Sequence, residues 1–211
     1  MTPHFITLEG SEGVGKSTAL TFITHYFTQK NINFIITREP GGTPVGDSIR
    51  TILLNHTDEK ILPETESLLL FAGRAQHIAH VIKPALKQGK TVISDRFTDS
   101  SFAYQGGGRQ LSLDKLNFLA DWIQADLEPD LTLLFDAPVE IGLSRMHSRE
   151  HKDRIEEEKK DFFERVRQAY LVRAKQFPNR FVIIDATQSL EQVQTQIKNA
   201  LENFLMREKC E

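Results

Sequence analysis

The sequence is poor in cysteine: its only one is Cys210, in the charged tail Arg207-Glu208-Lys209-Cys210-Glu211. That excludes an internal disulfide and a cysteine-based zinc cluster and makes a reducing compartment the natural setting. No stretch approaches the ~18 consecutive apolar residues of a membrane-spanning helix. The opening Met1-Thr2-Pro3-His4 lacks the charged and apolar blocks of an export signal. The expectation is a cytoplasmic protein that engages no membrane. An excess of one charge is also missing, because 26 Lys and Arg stand against 29 Asp and Glu, a formal net charge of -3. A general nucleic-acid binder would need a strongly basic surface, so nucleic acid is not expected as a partner. Internal repeats, low-complexity tracts and linkers are absent too, and 211 residues with 39% hydrophobic and 26% charged side chains fit one soluble domain.

What is present is an alternation of short apolar runs and helix-length segments. Phe5 to Leu8 reads as a strand that ends at Glu9-Gly10, and Lys16 to about Phe27 carries Leu20, Ile23 and Phe27 at helical spacing. Asn33 to Thr37 reads as a second strand. Thr43-Pro44 is an N-cap with proline in the first helical turn, and Pro63 opens a long helix reaching about Lys87. Thr91–Ser94, Leu131–Phe135 and Phe181–Ile184 are further strands, apolar without alternation as strands covered on both faces are, and Ser189 with Gln192 forms a capping box before the last helix. Strands separated by helices predict an α/β fold with a parallel sheet.

The segment Gly10, Ser11, Glu12, Gly13, Val14, Gly15, Lys16, Ser17, followed by Thr18, matches the phosphate-binding pattern G-x-x-x-x-G-K-[ST] and lies between a strand and a helix. Glycines let the loop backbone turn its N–H groups inward, and the helix N-terminus adds partial positive charge. Lys16 is placed to reach the β- and γ-phosphates of a nucleoside triphosphate such as ATP, and the Ser17 hydroxyl to hold Mg²⁺. The Asn-Lys-x-Asp and Asp-x-x-Gly strings of GTPases do not occur, nor does a glutamate following a strand-end aspartate as in motor ATPases. A small kinase with a second substrate remains.

In open parallel sheets, ligands gather at the carboxyl ends of the strands. Arg38-Glu39-Pro40-Gly41-Gly42 follows the second strand and Asp95-Arg96-Phe97 the third. Two arginines beside a phosphate loop point to an acceptor that carries a phosphate of its own. The alternative is that Arg38 and Arg96 form structural pairs with Glu39 and Asp95. Asp95, Asp136 and Asp185 all end apolar strands; Asp95 is the choice for the magnesium site, Asp136 before Ala137-Pro138 reading as a helix cap. A phosphate monoester is mostly dianionic at pH 7 and needs no general base, so catalysis becomes alignment and charge neutralisation. Arg145, Arg149, Lys152 and Arg154 lie on one segment that is either a phosphate-closing lid or a solvated charged helix.

These strings together resemble the bacterial thymidylate kinase family over nearly the whole chain. They are Leu8-Glu9-Gly10 with the phosphate loop, Thr37-Arg38-Glu39-Pro40-Gly41-Gly42-Thr43, Phe71 to His77, Asp95-Arg96-Phe97 with Ala103-Tyr104-Gln105-Gly106-Gly107-Gly108-Arg109, and Asp153-Arg154-Ile155-Glu156. The resemblance implies a P-loop nucleoside monophosphate kinase fold with a five-stranded parallel sheet, in a homodimer, moving the ATP γ-phosphate to dTMP with Mg²⁺. It implies that Glu12 accepts the deoxyribose 3′-hydroxyl, Arg38 and Arg96 grip the dTMP phosphate, and Asp95 helps place Mg²⁺ or its waters. Arg74 would donate to the thymine carbonyl, Phe71 stack on the ring, Ser101 and Gln105 meet the base edge, and Tyr104 exclude a ribose 2′-hydroxyl. Gly13, where one branch has a basic residue, points to the branch whose lid arginines substitute for it, here Arg149 and Arg154 within a lid of about 145–157. Phe71 stands three residues before Arg74, whereas some members place an aromatic four before. Ala186, Thr187 and Gln188 are the candidates beside adenine. The rival readings are a kinase for another deoxynucleoside monophosphate and a P-loop nucleotide-binding switch.

Other features have plainer readings. His77 with His80 and His147 with His151 share helical spacing but lack a third metal ligand. Trp122 and Phe162-Phe163 read as core, with Phe118, Leu119, Trp122 and Ile123 as the alternative subunit interface.

Overall fold

A parallel sheet needs a crossover between successive strands, and this chain supplies one each time. In the computed structural model, which describes residues 2–56, 58–147 and 153–207, β1 (Phe5–Glu9) leads through the glycine loop into α1 (Lys16–Gln29). β2 (Phe34–Arg38), α2 (Pro44–Leu54) and α3 (Pro63–His77) follow; a π-helical turn (Ile78–Ile82) then joins α3 to α4 (Lys83–Lys87). After β3 (Thr91–Asp95), α5 (Thr98–Ser101) runs into a second π-helical turn (Phe102–Gly108), then α6 (Leu113–Gln124), β4 (Leu131–Asp136), α7 (Val139–His147), α8 (Lys160–Gln176), β5 (Phe181–Asp185) and α9 (Leu190–Arg207). The five strands are all parallel, in the order β2-β3-β1-β4-β5.

Each strand runs one residue beyond its apolar stretch and ends on a polar side chain: Glu9, Arg38, Asp95, Asp136 and Asp185. Asp95, Asp136 and Asp185 are only partly buried, whereas Glu9 is fully buried. Leu8 is level with Asp95, and Asp95 with Arg38, so the polar termini gather along one edge of the sheet.

Side-chain alternation then divides the core. Ile6, Leu8, Leu133 and Phe135 face α1 and α9 through Ile23, Phe27, Ile197 and Leu201. On the other face Phe5 and Val92 pack with Ile78 and Ile82, while Leu134 packs with Phe162, Phe163, Val166 and Tyr170. Full burial of one such side chain contributes about 1.5–3 kcal/mol. β5 departs from the expected two-sided cover: it is an edge strand, and Ile183 is half exposed.

The expected helix from Pro63 to Lys87 is continuous in backbone direction but loosens into a π turn. Pro84 explains this, since it cannot donate to the carbonyl four residues earlier. Among the described residues no helix is long and apolar enough to cross a membrane. Phe162 and Phe163 are core residues as expected, but Trp122 is not: it is 71% exposed, beside the equally exposed Phe118, because both project from the outer face of α6.

Candidate active site

The phosphate loop starts where β1 leaves the core. Gly10, Gly13 and Gly15 all take positive φ, and at Gly13 a Cβ would lie 2.3 Å from the Gly142 carbonyl oxygen, so only glycine fits between this loop and α7. Lys16 folds back, donating to the carbonyls of Gly10 at 2.9 Å and Ser11 at 2.8 Å. Burial, then repulsion by Arg96, lowers its pKa to about 8 despite the nearby Glu12, Asp95 and Glu9. The loop forms one wall of a cavity of about 420 Å³ that also meets Ser17, Thr18, Arg38, Arg50, Asp95 and Arg145.

Arg96 stands between this cavity and a second one. Its φ of 71° lies in the left-handed region, unusual for a side chain of this size. The position is held by its N–H to the Leu8 carbonyl at 3.0 Å and by the Ser94 hydroxyl, which donates to the Arg96 carbonyl at 2.7 Å. The guanidinium then meets Glu12 at 2.6 Å, the Tyr104 and Tyr170 hydroxyls at 3.0 Å each, and the Gly10 carbonyl at 2.9 Å. Burial would raise the pKa of Glu12, but Arg96 and then Lys16 outweigh it and hold it at about 2. Tyr170 also bonds Ser100 at 2.8 Å and Glu9 at 2.9 Å. Burial, then repulsion by Asp99, raises Glu9 to about 7.

The second cavity, about 80 Å³, lies between α3 and the Phe102–Gly108 turn and is lined by Leu70, Arg74, Ser101, Tyr104 and Gln105, with Arg154 at its edge. The glycines after Gln105 have a packing role. A Cβ on Gly107 would approach the Ala169 Cβ to 2.6 Å and one on Gly108 the Phe162 ring to 2.4 Å, so only glycine lets α8 lie against this turn. That contact brings Tyr104 and Tyr170 to Arg96. Arg74 donates to Glu39 at 2.8 Å and to Ser101 at 3.0 Å, and His77 pairs with Glu39 at 2.9 Å and Thr37 at 2.6 Å. Two buried atoms here have no protein partner, Arg74 Nη1 and Gln105 Oε1.

The structural pairings weighed for the strand-end residues do not form. Glu39 is taken by Arg74 and His77, Arg96 pairs with Glu12, and Arg38, about half exposed, pairs loosely with Asp47 at 3.6 Å. Asp95 keeps a buried Oδ1 without a partner. Asp136 is bound by Arg167 at 2.7 and 2.8 Å, and Asp185 holds the Thr187-Gln188 turn, so neither is free for a metal.

Phe71 is the residue the structure places elsewhere. It is 2% exposed, packs with Phe102 and Leu116, and lies under the Arg74 guanidinium, 4.6 Å from its ring centroid. Leu70, four residues before Arg74, faces the cavity instead. His77 is committed to hydrogen bonds and His80 is exposed; the His147 side chain and His151 lie outside the described residues, as do Arg149 and Lys152. Arg154 donates to Glu66 at 2.5 Å and to the Leu53 carbonyl at 3.0 Å, toward the second cavity, while Arg145 reaches the Gly13 carbonyl at 3.3 Å.

Sequence reasoning missed Glu66, Leu70, Arg50 and Tyr170. For the first two a signal existed, since Glu66, Leu70 and Arg74 repeat every four residues and so share one helical face. Another groove, about 980 Å³, runs along α8 past Glu140, Asp161, Arg165 and Arg167 and does not include the phosphate loop.

The family model described as thymidylate kinase matches residues 8–197. Among relatives, the thymidylate kinase of Ruthia magnifica is 54% identical over 198 residues, covering 94% of this chain and 97% of that protein. That of Pseudomonas putida strain F1 is 51% identical over 207 residues, covering 98% and 99%. The crystal structure of thymidylate kinase from Ehrlichia chaffeensis superposes with a TM-score of 0.77 at 31% identity, covering 96% of this chain and 99% of that one.

Proposed function

The chain belongs to the thymidylate kinase family and is a transferase that phosphorylates dTMP; we propose that the two cavities meeting at Arg96 hold its two substrates, ATP and dTMP. The observation that carries this assignment is that a single guanidinium borders both cavities.

The triphosphate takes the cavity of the phosphate loop, residues Gly10 to Thr18, and Lys16 exchanges its two loop carbonyls for phosphate oxygens. Thymine takes the second cavity. Its O4 accepts from Arg74 Nη1 and its N3–H donates to Gln105 Oε1, which satisfies both partnerless atoms. Ser101 orients Arg74 from beside the base edge, and Leu70 gives the ring an apolar surface in the place expected of Phe71. Glu12 has acceptor capacity left for the 3′-hydroxyl, and Tyr104, held by Glu12 and Arg96, occupies the space a 2′-hydroxyl would need. Arg38 and Arg96 grip the acceptor phosphate, a dianion at pH 7 that attacks without a general base. Arg154, Arg145 and Arg149 belong to a lid of about 145–157 that closes within a single domain.

Kinases of this kind use a divalent metal with ATP. Magnesium fits the partnerless Oδ1 of Asp95 and the exposed hydroxyl of Ser17, both lining the phosphate cavity. Bound there, it supplies positive charge to the phosphoryl oxygens. Ala186 to Gln188, at the end of β5, are the proposed neighbours of adenine. The exposed Phe118 and Trp122 on α6, with Leu68 on the adjoining α3, form the proposed homodimer surface, and the setting is the cytoplasm. Product analysis tests the assignment: ATP and dTMP give ADP and dTDP in equal amounts, whereas ADP formed without dTDP contradicts it.

A further inference from the structure

Glu66 lies on α3 with 2% of its surface exposed, beneath the cavity assigned to the base. Its Oε1 accepts from Gln105 Nε2 at 2.7 Å and from Arg109 at 3.3 Å, and its Oε2 from Arg154 at 2.5 Å and Arg109 at 3.4 Å. Burial pushes its pKa up, but Arg109 and the hydrogen bonds of Arg154 and Gln105 bring it below the ordinary carboxylate range. An ionised carboxylate only accepts. Gln105 must therefore turn its NH₂ group toward Glu66, which leaves Oε1, buried and partnerless, on the cavity side.

We propose that Glu66 is a positioning residue for base selection, fixing the Gln105 amide so that the cavity presents an acceptor to N3 and admits thymine while rejecting cytosine. Cytosine carries a lone pair at N3 and an amino group at C4, so it would face Gln105 Oε1 with an acceptor and Arg74 Nη1 with a donor. Both contacts would be mismatched. With a neutral amide at position 66, Arg109 and Arg154 would claim its oxygen and leave its NH₂ group to face Gln105. Gln105 would then rotate and offer NH₂ to the ligand. The inference rests on the assignment of this cavity to the base.

The test compares dTMP with 5-methyl-dCMP, which differ only at the N3 and C4 edge, as acceptors for the wild type and Glu66→Gln. In Glu66→Gln the ratio of the two kcat/KM values should fall about tenfold, the worth of one buried hydrogen bond that no longer discriminates. A folded variant in which both acceptors lose equally would overturn the proposal and leave Glu66 a structural residue. A wild type that does not prefer dTMP would instead overturn the assignment of the cavity. Should Glu66→Gln not fold, the wild-type Gln105 side-chain NH₂ resonances, assigned by their loss in Gln105→Leu, decide. NH₂ protons protected from exchange in the free protein and equally protected with dTMP bound support the proposal, and NH₂ protons that become protected only when dTMP binds refute it.

Discussion

Arg96 donates to Glu12 at 2.6 Å, joining the end of β3 to the phosphate loop across the boundary of the two cavities. The pair fixes the guanidinium before substrate arrives, and the Tyr104 and Tyr170 hydroxyls hold it as well. Such preorganisation is effective where charge is shared between two anions brought together.

Arg96→Ala should lower kcat with dTMP by about a hundredfold or more, the cost of one transition-state donor, while ATP affinity measured by titration changes little. Equal loss of ATP affinity and turnover would show that Arg96 only supports the loop.

Lys16 gives a pH dependence. Its pKa near 8 in the free protein, from burial and then Arg96, rises when phosphate oxygens replace the loop carbonyls. The free protein therefore holds fewer protons than the complex above that pH, so ATP binding takes up a proton and weakens about tenfold per pH unit beyond it. Calorimetry in two buffers of different ionisation enthalpy would show the uptake. Affinity constant from pH 7 to 9.5 contradicts it.

Leu70 and Phe71 should separate cleanly. Leu70→Ala should raise KM for dTMP severalfold through lost apolar contact, with KM for ATP unchanged. Phe71→Ala should cost about 3–5 kcal/mol of stability in urea unfolding, as a large core side chain does. If Phe71→Ala kept its stability and changed only the dTMP KM, the packing described for α3 would be wrong.

Trp122→Glu places a charge on the proposed dimer surface. Light scattering should show the mass halve from twice 24.1 kDa, with the thermal transition still cooperative. A wild type that is monomeric at all concentrations contradicts the surface assignment.

The features legible in the sequence were those that local chemistry dictates. Apolar runs marked the strands because both sheet faces are covered, and the glycine loop marked itself by its spacing. Leu70 was hidden because residues three and four before Arg74 both lie near its face, and only the packing of Phe71 against Phe102 and Leu116 decides which of them turns inward. Glu66 and Tyr170 were hidden for a different reason. Each acts on a residue distant in sequence, Gln105 and Arg96, and only the close approach of α8 and α3 to the glycine-rich turn brings them there. The outward turn of Trp122 likewise depends on which face of α6 meets α3.

The most direct test of the central claim is an acceptor panel of dTMP, dUMP, dCMP, dGMP and UMP with ATP, scored by kcat/KM for diphosphate formation. The two-cavity account predicts dTMP first, dUMP behind it because it has less apolar surface to bury in the cavity, and dCMP, dGMP and UMP far lower. Another acceptor preferred over dTMP, or ATP turnover indifferent to every acceptor, would contradict it.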